Sequence, residues 1–459
     1  MNEQPISDNR LKVFWQKWLH KNPNKLPNLK FCGHRVIKQH GTQTGVLILK
    51  NDADNETKFF GATACNSTWA CPTCTARVMS KRANDISCAI DALKKKHGQT
   101  AVMITFTLPH FKNMSCKDIF TIFLQTWRLF VRSGNHSSRS FTYTVKTDSK
   151  VDNYKAGDKR TYKKGNDAYG KFREELEIKH VIKAYEFTWG ENSWHPHIHA
   201  LFFIPNQNFK KVLDYEESLK NRWYHVGKKV ATDYYVKSYG LGHRAEALEF
   251  IESLYPEWKK DYHSGVTISK NADGSARKVS SSWYISGWGA DHELTGEKHK
   301  QKQALEGHMT PHQIIQHAYE VKNTNPEESE QYLKLYREYA ETTFGHKRVD
   351  MSAHSGLTKI IREWKQTTDY KETYLKKNLH KENRWKVVYW FTESQWSRIC
   401  YLESQIDDYI KPQILELARA PNGKELIIEF LEKYSIEENK LEYCHKEHIE
   451  NIFNHQNAA

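Results

Sequence analysis

The sequence predicts an α+β fold in which an antiparallel sheet is packed by helices and followed by a mostly helical C-terminal region. Three observations predict it. Ala101–Leu108 (AVMITFTL) alternates, with Val102, Ile104, Phe106 and Leu108 on one face and Thr105 and Thr107 on the other. Val181–Thr188 and His197–Ile204 read as two more strands, and the Gly-, Asn- and Ser-bearing Trp189–Pro196 between them reads as a hairpin loop. From about residue 300 onward the pattern is helical and richly charged.

The chain has 459 residues, room for two or three domains that each bury a core. With 38% hydrophobic and 27% charged residues the composition is that of a globular protein, which excludes a disordered chain. A formal charge of +14 suits a polyanionic partner, because neutralising phosphates releases counterions. Met1–Pro23 has no apolar run resembling a signal peptide, and stretches such as Ala200–Ile204 are too short to span a bilayer. No membrane partner is expected, and the expected location is the cytoplasm, where clustered cysteines hold metal more often than disulfides.

Cys65, Cys71 and Cys74 lie in CNSTWACPTC, with Cys32 upstream in FCGH. A CxxC turn aims two thiolates at one point, and two more complete a tetrahedral structural Zn²⁺ site. His34 is an alternative to Cys32 as the fourth ligand. Cys88, Cys116, Cys400 and Cys444 read as ordinary buried thiols. After Cys74 a helix places Met79, Ala83, Ile86, Ile90 and Leu93 on one apolar face, leaving Arg77, Lys81 and Arg82 available to phosphates.

Trp194–Leu201 reads WHPHIHAL. On a strand, His197 and His199 point to one side while Ile198 points to the core. Glu186, on the preceding strand between Tyr185 and Phe187, can lie opposite them through the hairpin. Two imidazoles and a carboxylate with open positions suit a Lewis-acid divalent cation, Mg²⁺ or Mn²⁺, acting on a phosphodiester. His195 shares the spacing, but it is the weaker candidate ligand.

The His-Ile-His pattern followed by Ala and an apolar run resembles the second motif of the HUH endonucleases. Its context, Glu-Phe-Thr-Trp-Gly then Trp-His-Pro-His-Ile-His, resembles the plasmid rolling-circle replication initiators (Rep) in particular. The Thr-bearing strand Ile104–His110 (ITFTLPH) precedes it, as in that family. Ser282–Gly289 (SWYISGWG) resembles the family's third motif and matches Tyr284 to its nucleophile. GHMTPHQII (Gly307–Ile315) and Tyr336–Leu357 resemble downstream family blocks.

The resemblance implies a DNA strand nicking and joining endonuclease. Tyr284 would form a 5′-phosphotyrosine and release a free 3′-OH. It also implies origin DNA, single-stranded at the nick, as substrate, with host helicase and polymerase as partners and a homodimer as one allowed arrangement. Two departures stand out: Gly287 replaces the family's usual Lys three residues after the tyrosine, and Ser280–Ser282 replace a Glu that some relatives carry just before it. Glu293 is one substitute for that Glu. With 24 tyrosines in the chain, motif context alone singles out Tyr284, and Tyr234, Tyr235 and Tyr239 beside Lys237 form the runner-up cluster.

The expected organisation is a zinc-binding module and helix over 1–98, an HUH endonuclease domain over 99–300 with a polar insertion at 133–170, and a helical region over 301–459. Within the last, Thr392 and Gln395 form a capping-box pattern, and Glu425–Tyr434 reads as an amphipathic helix. An HUH-type transposase remains an alternative, as does a relaxase, although relaxases place the tyrosine before the histidines. A non-catalytic zinc-containing DNA-binding repressor is a third reading, and it leaves Glu186, His197 and His199 without a role.

Overall fold

A computed structural model describes residues 6–37, 45–109, 114–132, 168–239, 265–280, 308–351, 356–372 and 385–437, together with the strand pieces 141–144 and 159–162 and three isolated helical positions. The strands are β1 (Gly45–Asn51), β2 (Thr57–Phe60), β3 (Gln99–Thr107), β4 (Phe141–Thr144), β5 (Lys159–Tyr162), β6 (His180–Gly190), β7 (Ser193–Pro205), β8 (Val266–Ile268), β9 (Val349–Asp350) and β10 (Trp385–Thr392). The first helices are α1 (Asp8–Lys21), α2 (Pro27–Lys30), α3 (Pro72–His97), α4 (Cys116–Val131), α5 (Ala168–Glu175) and α6 (Glu216–Tyr239). After them come α7 (Pro311–Val321), α8 (Pro326–Thr343), α9 (Leu357–Lys365), α10 (Glu393–Gln405), α11 (Ile410–Leu417) and α12 (Gly423–Glu432). Among the described residues no helix is long and apolar enough to cross a membrane.

The chain divides into two compact units that do not follow its linear order. One holds Met1–Ser67, Cys71–Cys74 and Lys371–Ala459, and the other holds Thr68–Ala70 and Thr75–Tyr370. The first unit is built on a three-stranded antiparallel sheet of order β10-β1-β2. Val46, Ile48, Tyr389 and Phe391 of this sheet pack with Trp396, Ile399, Ile414, Ile427 and Leu431 of α10, α11 and α12. The capping box at Thr392 and Gln395 forms, with both reciprocal bonds present, and it fixes where β10 turns into α10. The Glu425–Tyr434 helix is α12, running Gly423–Glu432.

The second unit holds a five-stranded sheet of order β8-β3-β7-β6-β9, so the histidine strand is central. Its pairings among β3, β6, β7 and β8 are all antiparallel. One face carries an aromatic layer: Phe106 meets Trp127 and Phe130 of α4 and Trp223 of α6 at 5.1–5.3 Å between ring centroids. Within the polar segment 133–170, β4 and β5 pair with each other and α5 begins at Ala168, so the segment ends inside a helix with a buried start.

The hairpin between β6 and β7 is tighter than the sequence implies. Pairing continues through Trp189↔Trp194 to Gly190↔Ser193, which leaves Glu191 and Asn192 as the turn instead of a loop over Trp189–Pro196. Aromatic burial overrides the polar composition here. Trp194 is 1% exposed, stacks on Tyr339 at 5.4 Å and donates Nε1–H to Glu338 at 3.1 Å. Ser193 takes the left-handed φ of 73° that so tight a turn demands.

Candidate active site

On β7 the side chains alternate as the sequence implies: His195, His197 and His199 are half-buried, whereas Trp194, Pro196, Ile198 and Ala200 are buried. Cross-strand register puts Glu186 opposite His197 and Thr188 opposite His195. From the other neighbour, Thr105 stands opposite His199 and Thr107 opposite His197. Three threonines, a glutamate and three imidazoles therefore share one face. Farther along the same face Ala101, Met103, Ala184, Leu201 and Phe203 are covered by Ile86, Ala89, Ile90 and Leu93 of α3 and by Ile361 and Trp364 of α9. The helix face expected from Met79, Ile86, Ile90 and Leu93 thus roofs the apolar half of the sheet, and the polar half adjoins it.

His199 is held at both nitrogens. Nδ1 lies 2.9 Å from Thr105 Oγ1, and Nε2 lies 2.9 Å from Glu186 Oε2. A carboxylate only accepts, so Nε2–H donates to Glu186 and, in the neutral ring, Nδ1 accepts from the Thr105 hydroxyl; a metal at Nε2 would call for the other tautomer, with Nδ1–H donated to Thr105. The rings of His197 and His199 are within 9° of parallel at 5.8 Å, and His195 stands 4.3 Å from His197. Burial works against ionising Glu186. The hydrogen bond to His199 and the charges of His199, His197 and Arg348 outweigh it and hold the carboxyl at about 2. Its side chain keeps 38% of its exposure.

The cysteines form a second centre, in the other unit. Cys32, Cys65, Cys71 and Cys74 are the one group of metal-ligating side chains among the described residues whose ligand atoms all lie within 4.8 Å of one another. The Glu186–His197–His199 set is looser. Cys32 Sγ stands 3.5 Å from Cys74 Sγ and 3.8 Å from Cys71 Sγ. Four thiolates at Zn–S distances of about 2.3 Å on a tetrahedron are ~3.8 Å apart, so the cluster can hold a metal such as zinc. Hydrogen bonds from Cys65, Cys71 and Cys74 push the Cys32 thiol far below its ordinary range, while the bonds made to Cys32 push Cys65 and Cys71 up, so one thiolate is shared among the four.

Cys32 is thus the fourth member of this group, and His34 is outside it. The His34 ring stacks against His20 at 5.9 Å, and burial with the Lys411 charge lowers its pKa to about 2. Gly33 takes φ 81° behind Cys32, and its carbonyl accepts the Trp396 Nε1–H bond at 3.0 Å. Cys88, Cys116 and Cys400 are buried single thiols as expected, while Cys444 lies outside the described residues.

Tyr284, Gly287 and Glu293 also lie outside the described residues. The described chain leading to them ends at Ser280, just after Val279, whose N–H bonds the Ala101 carbonyl of β3 at 2.9 Å. Of the runner-up tyrosines, Tyr234 donates its hydroxyl to Asp118 at 2.5 Å and Tyr235 is 1% exposed. Both sit on α6, whose Trp223 packs on Phe106, on the sheet face opposite the histidines. Arg77, Lys81 and Arg82 are exposed on α3, with Arg82 in an ion pair to Asp85 at 3.4 Å.

Sequence reasoning passed over two neighbours of the site. Thr105 was visible only as the polar side of an alternating strand, and its bond to His199 depends on the β3–β7 register. His308 is separated from the histidine strand by more than a hundred residues, yet its ring lies 6.3 Å from that of His195.

The chain is similar to a protein of Streptomyces lividans named Protein rep, with 27% identity over 165 residues. That match covers 35% of this chain and 34% of the relative, so the chain spans about a third of the length of the curated protein it matches. No family model and no solved structure matches the chain.

Proposed function

We propose that the chain initiates rolling-circle replication by nicking one strand of origin DNA with Tyr284 as the nucleophile. The observation that carries this reading is the sheet face on which Glu186 lies opposite His197 and bonds His199, with Thr105 behind it. The limited similarity to Protein rep of Streptomyces lividans supports a replication role in general.

In this reading Glu186, His197 and His199 would hold Mg²⁺ or Mn²⁺, which would supply polarisation of the scissile phosphate and stabilise charge built up at its oxygens. Thr105 fixes the His199 ring. The Tyr284 oxygen, its proton released to solvent, attacks phosphorus, and the P–O3′ bond breaks. The leaving oxygen takes up a proton as a 3′-OH available to a polymerase, and the 5′ end stays on the tyrosine as an ester that can be rejoined. Arg77, Lys81 and Arg82 contribute phosphate contacts, and the cysteine centre holds structural Zn²⁺.

The test is incubation of the full chain and Mn²⁺ with supercoiled DNA of the parent replicon, then denaturation. The expected product is nicked DNA with protein on its 5′ end, absent for Tyr284→Phe. Cleavage without attached protein sinks the tyrosine mechanism in favour of water attack, and an adduct retained by Tyr284→Phe moves the nucleophile to another residue.

A further inference from the structure

The imidazole row on β7 does not end at His195. Met309 forms a two-way backbone bridge with Trp189, N–H to carbonyl at 2.8 and 2.7 Å, which fastens the segment before α7 alongside the end of β6. Because side chains alternate, Met309 shares the aromatic side with Trp189, and His308 turns to the histidine face. Its ring reaches within 6.3 Å of His195, which is itself 4.3 Å from His197. His308 Nδ1 is buried and has no hydrogen-bond partner. A buried polar nitrogen without a partner is costly, so this one calls for a group that completes it.

Three residues after His308, Pro311 opens α7 behind a complete Thr310–Gln313 capping box. The start of a helix, which favours an anion, therefore follows His308 closely in the chain. An imidazole N–H donor beside a helix start is a combination that serves phosphate oxygens in nucleic-acid contacts.

We propose that His308, together with His195, binds a non-bridging phosphate oxygen of the nucleotide next to the scissile one on the strand being cut. This rests on the strand-nicking reading above and adds to it a subsite separate from the Glu186–His197–His199 set. His308 is in this view a substrate-contacting residue that fixes the register of the strand, not a metal ligand.

The test uses the full chain with Mn²⁺ and a series of single-stranded oligonucleotides from the nicked strand, each carrying one neutral methylphosphonate near the mapped nick. Wild type is expected to lose about 5–10-fold in affinity when the phosphate next to the scissile one is neutralised. His308→Ala and His308→Gln are expected to bind the unmodified strand 5–10-fold more weakly and to show no further loss at that position, with Mn²⁺ affinity and melting temperature unchanged. Variant profiles that superimpose on wild type overturn the subsite and leave the nicking reading standing. Loss of Mn²⁺ binding by the variants with an unchanged methylphosphonate profile makes His308 a metal ligand and also overturns it. A wild-type chain that binds no single strand overturns the subsite and the functional reading together.

Discussion

Thr105→Val tests whether the bond behind His199 matters to the metal reading. Valine matches threonine in shape and β propensity, so β3 keeps its pairing while one hydroxyl is lost. The lost contact is a single 2.9 Å bond to Nδ1 of His199. Without it the ring can rotate about χ2, and the tautomer that would present Nε2 to a metal loses the acceptor for its Nδ1–H. Removing such an outer partner of a metal-bound histidine costs roughly 10–100-fold in metal affinity, or about 1.4–2.7 kcal/mol. Titration calorimetry with Mn²⁺ on the full chain should show that loss. Nicking should recover at saturating Mn²⁺, because Glu186, His197 and His199 are all still present. An affinity unchanged from wild type, in a variant whose melting temperature is also unchanged, refutes the idea that Thr105 sets the ring, and recovery failing at any metal concentration assigns it a different role.

Further outcomes follow from the same geometry. His197→Ala and His199→Ala should abolish nicking of origin DNA yet retain duplex binding in a gel-shift assay, since phosphate contacts from other surfaces position the duplex. Cys71→Ser, or chelation of the purified protein, should release about one zinc by elemental analysis and lower the melting temperature of the unit holding β1, β2 and β10; no zinc and no shift would sink the site. Lys411→Met should destabilise that unit by about 3–5 kcal/mol in urea, read by hydrogen exchange across α10 and α11, because Glu403 would stay buried without its 2.8 Å partner. Burial alone would lower the Lys411 pKa, but Cys400, Glu403 and Cys32 outweigh it and raise it. The stability that Lys411 contributes should therefore be fully present just below the ordinary lysine pKa of ~10.4 and be lost as pH rises through the higher folded value.

Much of the site was legible because its signal is local. A two-residue period on a strand decides which side chains share a face, so His197, His199 and the opposing parity of Ile198 could be read directly from eight residues. Glu186 required the added assumption of a hairpin, and the register Glu186↔His197 agrees with it. Cys32, thirty-three residues from Cys65, was readable only because a tetrahedral site needs a fourth ligand. The tip of the hairpin was misread, since Gly190, Asn192 and Ser193 look like a loop until the burial of Trp194 against Tyr339 is known. His308 and the β1–β10 pairing left no local trace at all, because both depend on segments that meet only in three dimensions.

That last pairing changes what the C-terminal residues are for. Asn51 faces Trp385 across the sheet, about 330 residues later in the chain. During synthesis at ~5–20 residues per second, β1 waits roughly 17–66 s with one edge uncovered before its partner leaves the ribosome. An open strand edge is a template for pairing with other chains, and Leu47 and Leu49 beside it are apolar. A cysteine centre that closes on metal once Cys74 has emerged would hold the early segment compact through that interval. Shortening the chain from its C-terminal side into β10 would turn this interval into a permanent state, and loss of solubility, not merely loss of a tail, is the expected phenotype.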